Sequence, residues 1–387
     1  MATTAIRIGL VFGYSLSYYR EIVRGIRAFA EPRPRWAFTP IAPDPRAVAA
    51  IGPLDHDGLI AHVFTRDLAE ALARLRKPVI NVSGVLPDLA MPRVMADHEQ
   101  VGRLAAGHFL DRGLRHFGFL GYSAHAFSTG REAGFRGEAG RAGCRVESYL
   151  SDDPLHPEPT GLWRWDDGLE RWLVDLPRPV GVLASHDIQG VQLSEACRRA
   201  GLRVPDEVAL LGVDDDDLLC EVARPSLSSV ALPGERIGFE AARMLEGLIS
   251  GREGHATPRT LLLPSPGVVT RHSSDMLAIE DGDVATAVRY IRAHALGPIG
   301  VPDVLDAVPV SRRSLERRFR SVLGRGLGEE IRRVRIERAR ELLSGTEMPI
   351  AQVATNAGFS EAKHLATVFR QEAGLTPTDY RRRSRGR

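Results

Sequence analysis

A repeated alternation of short apolar runs with amphipathic segments most constrains what this chain can fold into. The runs AIRIGLVF, DGLIAHVF, PVINVSG, HFGFLG and PVGVLAS are each followed by a segment with apolar residues at helical spacing. Strands that alternate with helices in this way are typical of βαβ units around a buried parallel sheet. At 387 residues the chain is also too long for one ordinary core, so we expect two or three domains, the first of them α/β.

The alternation stops at the segment SSDMLAIEDGD, residues Ser273–Asp283. Beyond it every segment has helical periodicity, from VATAVRYIRAHAL to SEAKHLATVFRQEAG. We therefore predict an α/β sensing part at residues 1–272, a linker at 273–283 and an all-helical domain at 284–387.

Charge is divided unequally between these parts. Residues 284–387 contain 20 Lys and Arg against 11 Asp and Glu, a net charge of +9, whereas the rest contains 31 against 38, a net charge of −7. Such asymmetry favours a nucleic acid or another anionic partner for the C-terminal part alone. An arginine-rich, solvated helical surface is the alternative interpretation.

Two turn-helix patterns occur in this basic part. In the first, Ser311 is a predicted N-cap, and Arg313, Arg317 and Arg320 share a helical face opposite an apolar stripe. Arginines on one such face can bind phosphates or read guanine in the major groove.

In the second pattern, Gly358 is predicted to end one helix and Ser360 to cap the next. The predicted buried stripe of that next helix is Ala362, Leu365, Ala366 and Phe369. The segment EEIRRVRIERARELL between the two patterns predicts one long helix, which could hold two DNA-reading helices at the spacing of successive major-groove faces, roughly 34 Å.

These residues resemble a known DNA-binding family. The segments SRRSLERRFRSVLG, RIERARELL and IAQVATNAGFSEAKHLATVFRQEAGLTPTDYRR are similar to the tandem helix-turn-helix domain of AraC-type transcription regulators. The resemblance implies promoter DNA as a partner, with Arg320 and Arg370 on phosphates. The side chains it places against base edges are Arg312, Arg313, Glu316, Arg317, Glu361, Ala362, Lys363 and Thr367.

The front part resembles a second family. PRVMADHEQVGRLAAGHFLDRGLRHFGFLG and VPDEVALLGVDDDDLLCEVARPSLSSVALPGERIGFEAARML are similar to the sugar-binding core of lactose/galactose-repressor-type regulators, which are related to periplasmic binding proteins. The combination with an AraC-type domain resembles bacterial xylose operon regulators. It implies a sensor of two α/β lobes with doubly wound parallel sheets, closing on D-xylose or a related monosaccharide. It also implies a homodimer, and RNA polymerase as a partner if the protein is an activator.

Candidate sugar contacts follow from strand ends and from this resemblance. Ligands of doubly wound sheets bind beyond the carboxyl ends of the strands. There the sequence has polar residues, which are Tyr14, Ser15, Asn81, His186, Asp187 and Asp214. The resemblance assigns sugar contact to Asn81, Arg131, His186 and Asp214.

Alternative roles remain open for some residues near this site. Arg131 could instead cap a helix or pair with an acid, and Asp215–Asp217 could form a solvated turn. Trp165 could stack on a pyranose ring or pack in a core or hinge.

Other functions are not favoured by the sequence. It has no phosphate-binding loop, nucleophile elbow or zinc motif, so we expect neither an enzyme nor a metal or cofactor. The start MATTAIRIGLVFGYSL lacks the features of a signal peptide, no segment approaches 18 uninterrupted apolar residues, and cysteines are few. We expect a cytoplasmic protein that does not span a membrane. A stand-alone sugar-binding protein, whose basic module does not read DNA, is the competing hypothesis.

Overall fold

The computed structural model describes residues 5–13, 16–33, 35–51, 55–152, 167–251, 259–279 and 281–385. Its strands in these ranges are, in chain order, β1 (Ile6–Val11), β2 (Trp36–Ile41), β3 (Gly58–Ala61), β4 (Val79–Asn81), β5 (Arg93–Ala96), β6 (His116–Tyr122), β7 (Val146–Ser151), β8 (Val180–Ala184), β9 (Val208–Asp214), β10 (Ser228–Ala231), β11 (Thr260–Leu263) and β12 (Gly267–Val269).

Helices accompany these strands, and further helices follow them. In the α/β part they are α1 (Ser17–Ala30), α2 (Pro45–Ala49), α3 (Arg66–Arg74), α4 (His98–Leu110), α5 (Ala126–Arg141), α6 (Asp167–Asp175), α7 (Asp187–Arg199), α8 (Asp217–Val222) and α9 (Gly234–Ile249). After a 3-10 turn at His272–Ser274 come α10 (Gly282–His294), α11 (Val301–Asp306), α12 (Arg312–Leu323), α13 (Leu327–Gly345), α14 (Ile350–Asn356), α15 (Ala362–Ala373) and α16 (Pro377–Arg385).

The strands form two sheets, each the centre of one lobe. The first sheet has the order β11-β5-β4-β3-β1-β2 and is parallel throughout its described pairs. The second has the order β12-β10-β9-β8-β6-β7 and is parallel except for the edge pair of β10 with β12. The predicted doubly wound, two-lobed fold is confirmed, although the antiparallel edge strand was not predicted.

The chain crosses between the lobes at three places, after β5, after β10 and after β11. Hydrogen bonds tie these crossings together. The backbone N–H of Asp97 donates to the carbonyl of Leu263 over 2.8 Å, and the Ser265 hydroxyl donates to the carbonyl of Ala231 over 2.7 Å. Because the crossings are bonded to one another, they form a compact hinge beside the cleft.

Helices α4 and α5 of the second lobe pack unusually closely because glycines line their contact. A Cβ atom on Gly102 would lie 2.0 Å from the carbonyl oxygen of Arg131, and one on Gly134 would lie 1.9 Å from that of Glu99. Either substitution would force the helices apart. The two helices therefore behave as one rigid body within the second lobe.

The C-terminal part is helical throughout its described residues, as predicted. One apolar cluster joins α10 and α11 to α12, and a second joins α14 to α15 and the end of α13. Helix α13 runs through both clusters as the predicted single long helix, with 19 residues. Its Arg335 donates to the carbonyls of Ala295, Gly297 and Ile299, which fixes the first unit on this shared helix.

Candidate ligand cleft and nucleic-acid interface

An ion pair between a buried arginine and a partly buried aspartate lies at the strand ends of the second lobe. Arg131, on α5, is 2% exposed, and one of its terminal nitrogens lies 3.6 Å from Oδ1 of Asp214 at the end of β9. The guanidinium also donates to the carbonyl of Ser185 and lies 5.0 Å from the ring centre of Phe127. Arg131 thus pairs with an acid, and the pair lies at the strand ends where a ligand is expected.

The backbone at Asp214 adopts an unfavourable conformation. Asp214 has φ of 116° and Asp215 has φ of 57°, a region that L-residues with side chains seldom occupy. Such strain concentrates at functional sites, where the surrounding structure maintains it. Burial raises the pKa of Asp214 to about 7, although the positive charge of Arg131 opposes this rise.

His186 takes part in a defined hydrogen-bond chain. Its Nδ1 accepts the backbone N–H of Gln189 over 3.1 Å, which caps α7. The neutral ring must then carry its proton on Nε2, which donates to the Tyr122 hydroxyl over 3.1 Å. Burial, with a contribution from Arg131, lowers the pKa of His186 to about 3, so the imidazole stays neutral at ordinary pH.

Asn81 lies on the first-lobe side of the cleft and is fully buried. Its Oδ1 accepts the backbone N–H groups of Val63 and Ser83, over 3.3 and 2.9 Å. Its Nδ2 has no hydrogen-bond partner among the residues that the structure describes, and neither has Nε of Arg131. A buried donor without a partner costs free energy, so this arrangement favours a polar ligand that accepts hydrogen bonds from these donors.

Asp187 lies behind the cleft rather than in it, contrary to our expectation of a ligand contact. It is fully buried, and its two carboxylate oxygens accept hydrogen bonds from the Ser229 hydroxyl over 2.7 Å and from the backbone N–H of Asp216 over 2.8 Å. Burial raises the pKa of Asp187 well above its usual range. Its geometry holds the turn after β9 in place.

That turn bridges the two lobes. Asp216 Oδ2 accepts the backbone N–H of Ser17, the first residue of α1, over 2.8 Å. Asp216 Oδ1 accepts the N–H of Leu219 and so caps α8. The interpretation of Asp215–Asp217 as a solvated turn is wrong for Asp216, which is 4% exposed.

Some residues near the cleft were missed by the sequence analysis. Tyr18, in the first lobe, donates its hydroxyl to the carbonyl of Val82, and burial together with Asp214 raises the pKa of its phenol. His98, the first residue of α4, has both ring nitrogens buried without a partner in the described part of the chain. No polar pattern at a strand end singles out either residue, so only the fold could have revealed them. Tyr14, Ser15 and Trp165 lie outside the described residues.

The first predicted DNA-reading helix is α12. Ser311 caps it as predicted, accepting the N–H of Ser314 over 3.4 Å. Leu315 and Phe319 are fully buried, which leaves the opposite face to the predicted basic side chains. The exposed residues of that face are Arg312, Arg313, Arg317 and Arg320. Glu316 is half-buried, and its Oε1 lies 2.9 Å from Nε of Arg312.

The second is α15, which begins one residue later than predicted. Gly358 has φ of 79°, as expected for the turn, but Glu361 rather than Ser360 occupies the N-cap position. No side-chain hydrogen bond caps α15, so the prediction for Ser360 was wrong. The exposed residues are Glu361, Lys363, Thr367 and Arg370, and Ala362 is half-buried.

The described ranges contain no candidate membrane span and no candidate metal site. No helix there is long and apolar enough to cross a bilayer. No group of three or more His, Cys, Asp or Glu side chains in those ranges is arranged to hold a metal ion.

Comparisons with known proteins match both parts of the chain. Residues 106–274 match the periplasmic binding protein-like domain, and residues 304–383 match a helix-turn-helix domain. The xylose operon regulatory protein of Escherichia coli K12 is 29% identical over 390 aligned residues, covering 98% of both chains. That of Haemophilus influenzae is 28% identical, over 97% of this chain and 98% of the relative. The solved structure of a xylose-binding transcription activator superposes with a TM-score of 0.62, at 28% identity, and covers 98% of this chain and 99% of that one.

Proposed function

We propose that this chain, a homologue of the xylose operon regulatory proteins along 98% of its length, is a sugar-responsive, DNA-binding transcription regulator. The observation that carries the proposal is the combination of two sites in one chain. A cleft contains the Arg131–Asp214 pair and buried donors without partners among the described residues. The same chain carries two helices with exposed arginine or lysine side chains. The cleft binds the effector, and the helices bind DNA.

The effector is a neutral monosaccharide. Sugar hydroxyls both donate and accept hydrogen bonds, and the cleft offers donors on Arg131 and Asn81 beside the acceptor Asp214. The names of the full-length relatives make D-xylose the first candidate.

Sugar binding favours the closed arrangement of the lobes. Cleft residues come from both lobes, so a sugar contacts all of them only when the lobes are together, as in other hinge-closing proteins. The sugar can shift this equilibrium only by its differential affinity for the closed state. Coupling to a second site typically amounts to about 1–3 kcal/mol.

The DNA-binding unit is the pair α12 and α15 on the shared helix α13. In this proposal Arg320 and Arg370 bind phosphates, and Arg313 and Arg317 contact base edges in the major groove. A regulator that binds chromosomal promoters acts in the cytoplasm of a bacterium. If it activates transcription, RNA polymerase is a further partner.

We infer that the regulator works as a homodimer. Leu218 and Val222 lie one turn apart on α8, and each is 62% exposed. Large apolar side chains exposed together mark interaction surfaces. Sedimentation velocity on the wild type and on Leu218→Glu tests this point, because a charge there should shift a dimer to monomer.

The competing hypothesis is a sugar-binding protein whose basic module does not read DNA. The helix-turn-helix match over residues 304–383 disfavours it. A thermal-shift screen of monosaccharides, followed by selection of DNA duplexes from a random library, tests both halves. Ligand binding to the folded state raises the melting temperature. A chain that binds sugar but enriches no sequence would support the competitor.

A further inference from the structure

One helix, α4, runs from the ligand cleft to the DNA-binding domain. Its 13 residues span about 20 Å at the usual rise per residue. Asp97 caps its N-terminus in the hinge, and Gln100 in its first turn accepts the backbone N–H of Ser265 from another crossing over 2.8 Å. At the other end, Asp111 and Arg112 face the C-terminal domain.

Arginines of the C-terminal domain contact all three oxygen atoms of Asp111. Its Oδ1 lies 2.9 Å from Arg325, and its Oδ2 lies 2.7 Å from Arg333. Its backbone carbonyl accepts a hydrogen bond from Arg292 over 3.1 Å. One sensor residue thus contacts three arginines from two helices and a loop of the other domain.

The arginines around Asp111 are themselves fixed by a buried acid. Glu330, fully buried on α13, lies 2.5 Å from Nε of Arg325 and 2.8 Å from Arg333. Burial alone would raise the pKa of Glu330, but its hydrogen bonds to Arg333 and Arg325 outweigh burial and lower the pKa to about 2. The arginines are therefore presented to Asp111 in a defined geometry, unlike those of an exposed surface pair.

Arg112 fixes the start of the linker to the same end of α4. Its Nε donates to the carbonyl of Ser274 over 2.7 Å, and its carbonyl accepts the backbone N–H of Ala278 over 2.8 Å. The far end of the linker is bonded to α12, where Arg318 contacts Asp281 at 3.1 Å and Asp283 at 2.7 Å. The linker is thus bonded at one end to the sensor and at the other to a DNA-reading helix.

The end of α4 near the cleft is packed just as tightly. Arg131 contacts Asp214 with its side chain, and its backbone carbonyl lies against Gly102 of α4. A shift of Arg131 on ligand binding therefore displaces α4, because the close glycine contacts leave no space to absorb it.

We propose that Asp111 and Arg112, with Arg325 and Arg333, form the junction through which the cleft controls DNA binding. This inference rests on the proposed function. The junction keeps the DNA-binding domain on the second lobe, so that closure of the first lobe changes the position of that domain relative to the rest of the regulator. Breaking the junction leaves sugar binding and DNA binding intact but removes the effect of sugar on DNA affinity.

The test uses the full-length chain and Asp111→Asn, which removes the charge at nearly constant shape. Asp206→Asn is the matched control, since Asp206 lies in the same lobe, is exposed, and approaches Arg203 only to 4.0 Å. Sugar affinity is measured by calorimetry with D-xylose, or with the sugar that shifts the melting temperature most. DNA affinity is measured by fluorescence anisotropy with and without that sugar, on a duplex selected by the wild type.

We expect Asp111→Asn to bind sugar and DNA within about two-fold of the control, and the sugar-induced change in DNA affinity to fall toward one-fold. Coupling in other systems is about 5- to 150-fold. A variant with the same sugar-induced change as the control would overturn the proposal. If Asp111→Asn does not fold, Arg325→Gln provides the same comparison from the other side of the junction. A wild type that binds sugar and DNA without any coupling would instead contradict the proposed function.

Discussion

The carboxylate of Asp216, in the second lobe, accepts a 2.8 Å hydrogen bond from the backbone N–H of Ser17, which begins α1 in the first lobe. A negative charge at a helix N-terminus is favourable because the first N–H groups lack partners and carry partial positive charge. This contact joins the lobes directly across the cleft. It can exist only while the lobes are close, so it stabilises the closed arrangement that a sugar would select.

Replacing Asp216 with Asn should weaken sugar binding by a few-fold. The amide oxygen can still cap α8, but the charge at the start of α1 is lost, and such charges are worth about 0.3–1 kcal/mol. Calorimetry measures the change. Asp206→Asn is the control, because Asp206 is exposed in the same lobe and its ion pair, with Arg203 at 4.0 Å, is local. Equal affinities for the two variants would show that the contact with Ser17 does not bias closure.

Sugar affinity should rise with pH through about 7. Burial raises the pKa of Asp214 to about 7 in the free protein, and the ionised carboxylate offers more acceptors to sugar hydroxyls. Binding to the ionised form releases a proton, so affinity is lost as pH falls below this pKa. Burial also raises the pKa of Glu21 to about 7, with a further contribution from Glu235. Measuring sugar affinity against pH for Asp214→Asn distinguishes the two carboxyl groups. If the pH dependence is unchanged in that variant, it would be assigned to Glu21.

His98→Phe should reduce sugar affinity by roughly ten-fold or more. The ring nitrogens of His98 are buried beside the cleft without partners in the described ranges, and a lost hydrogen bond to a ligand costs about 1–3 kcal/mol. In the wild type the ring centres of His98 and Phe127 are 6.2 Å apart, and phenylalanine at position 98 keeps this ring contact. Calorimetry at constant pH measures the effect. His116→Phe, at an exposed position, is the control, and equal affinity of both variants would remove His98 from the site.

Arg317→Ala and Arg370→Ala should weaken DNA binding in different ways. Loss of a base contact at Arg317 should cost about 1–3 kcal/mol and relax preference at one position of the operator. Loss of a phosphate contact at Arg370 should weaken all sequences alike and reduce the slope of affinity against salt by about one. Anisotropy on matched and mutated duplexes distinguishes the two, and uniform weakening by Arg317→Ala would make it a phosphate contact.

The sequence predicted the architecture better than the details of the cleft. Strand-helix alternation and the basic helix-turn-helix pattern are local signals, so the lobes and α12 to α15 could be predicted from them. Asp187 could not be distinguished from a ligand contact, because its burial depends on Ser229, which is distant in the sequence. The cap at Ser360 was wrong because the turn after Gly358 is one residue longer than the pattern indicated.

The pairing of Asp111 with arginines of the C-terminal domain could not be predicted from the sequence. Asp111 and Arg333 are 222 residues apart, and the segments that contain them give no sign that they pair. Only the packing of α4 against the C-terminal domain brings them together. Long-range ion pairs of this kind lie beyond any pattern read along the chain.

The most direct test of the account is the DNA affinity of the full-length protein with and without a saturating monosaccharide, beginning with D-xylose, at one fixed salt concentration. Fluorescence anisotropy on a selected duplex should show a sugar-induced change of about 5- to 150-fold for the wild type and none for Asp214→Ala, which should retain its sugar-free DNA affinity. An identical DNA affinity of the wild type in the presence and absence of every sugar that it binds would contradict the account.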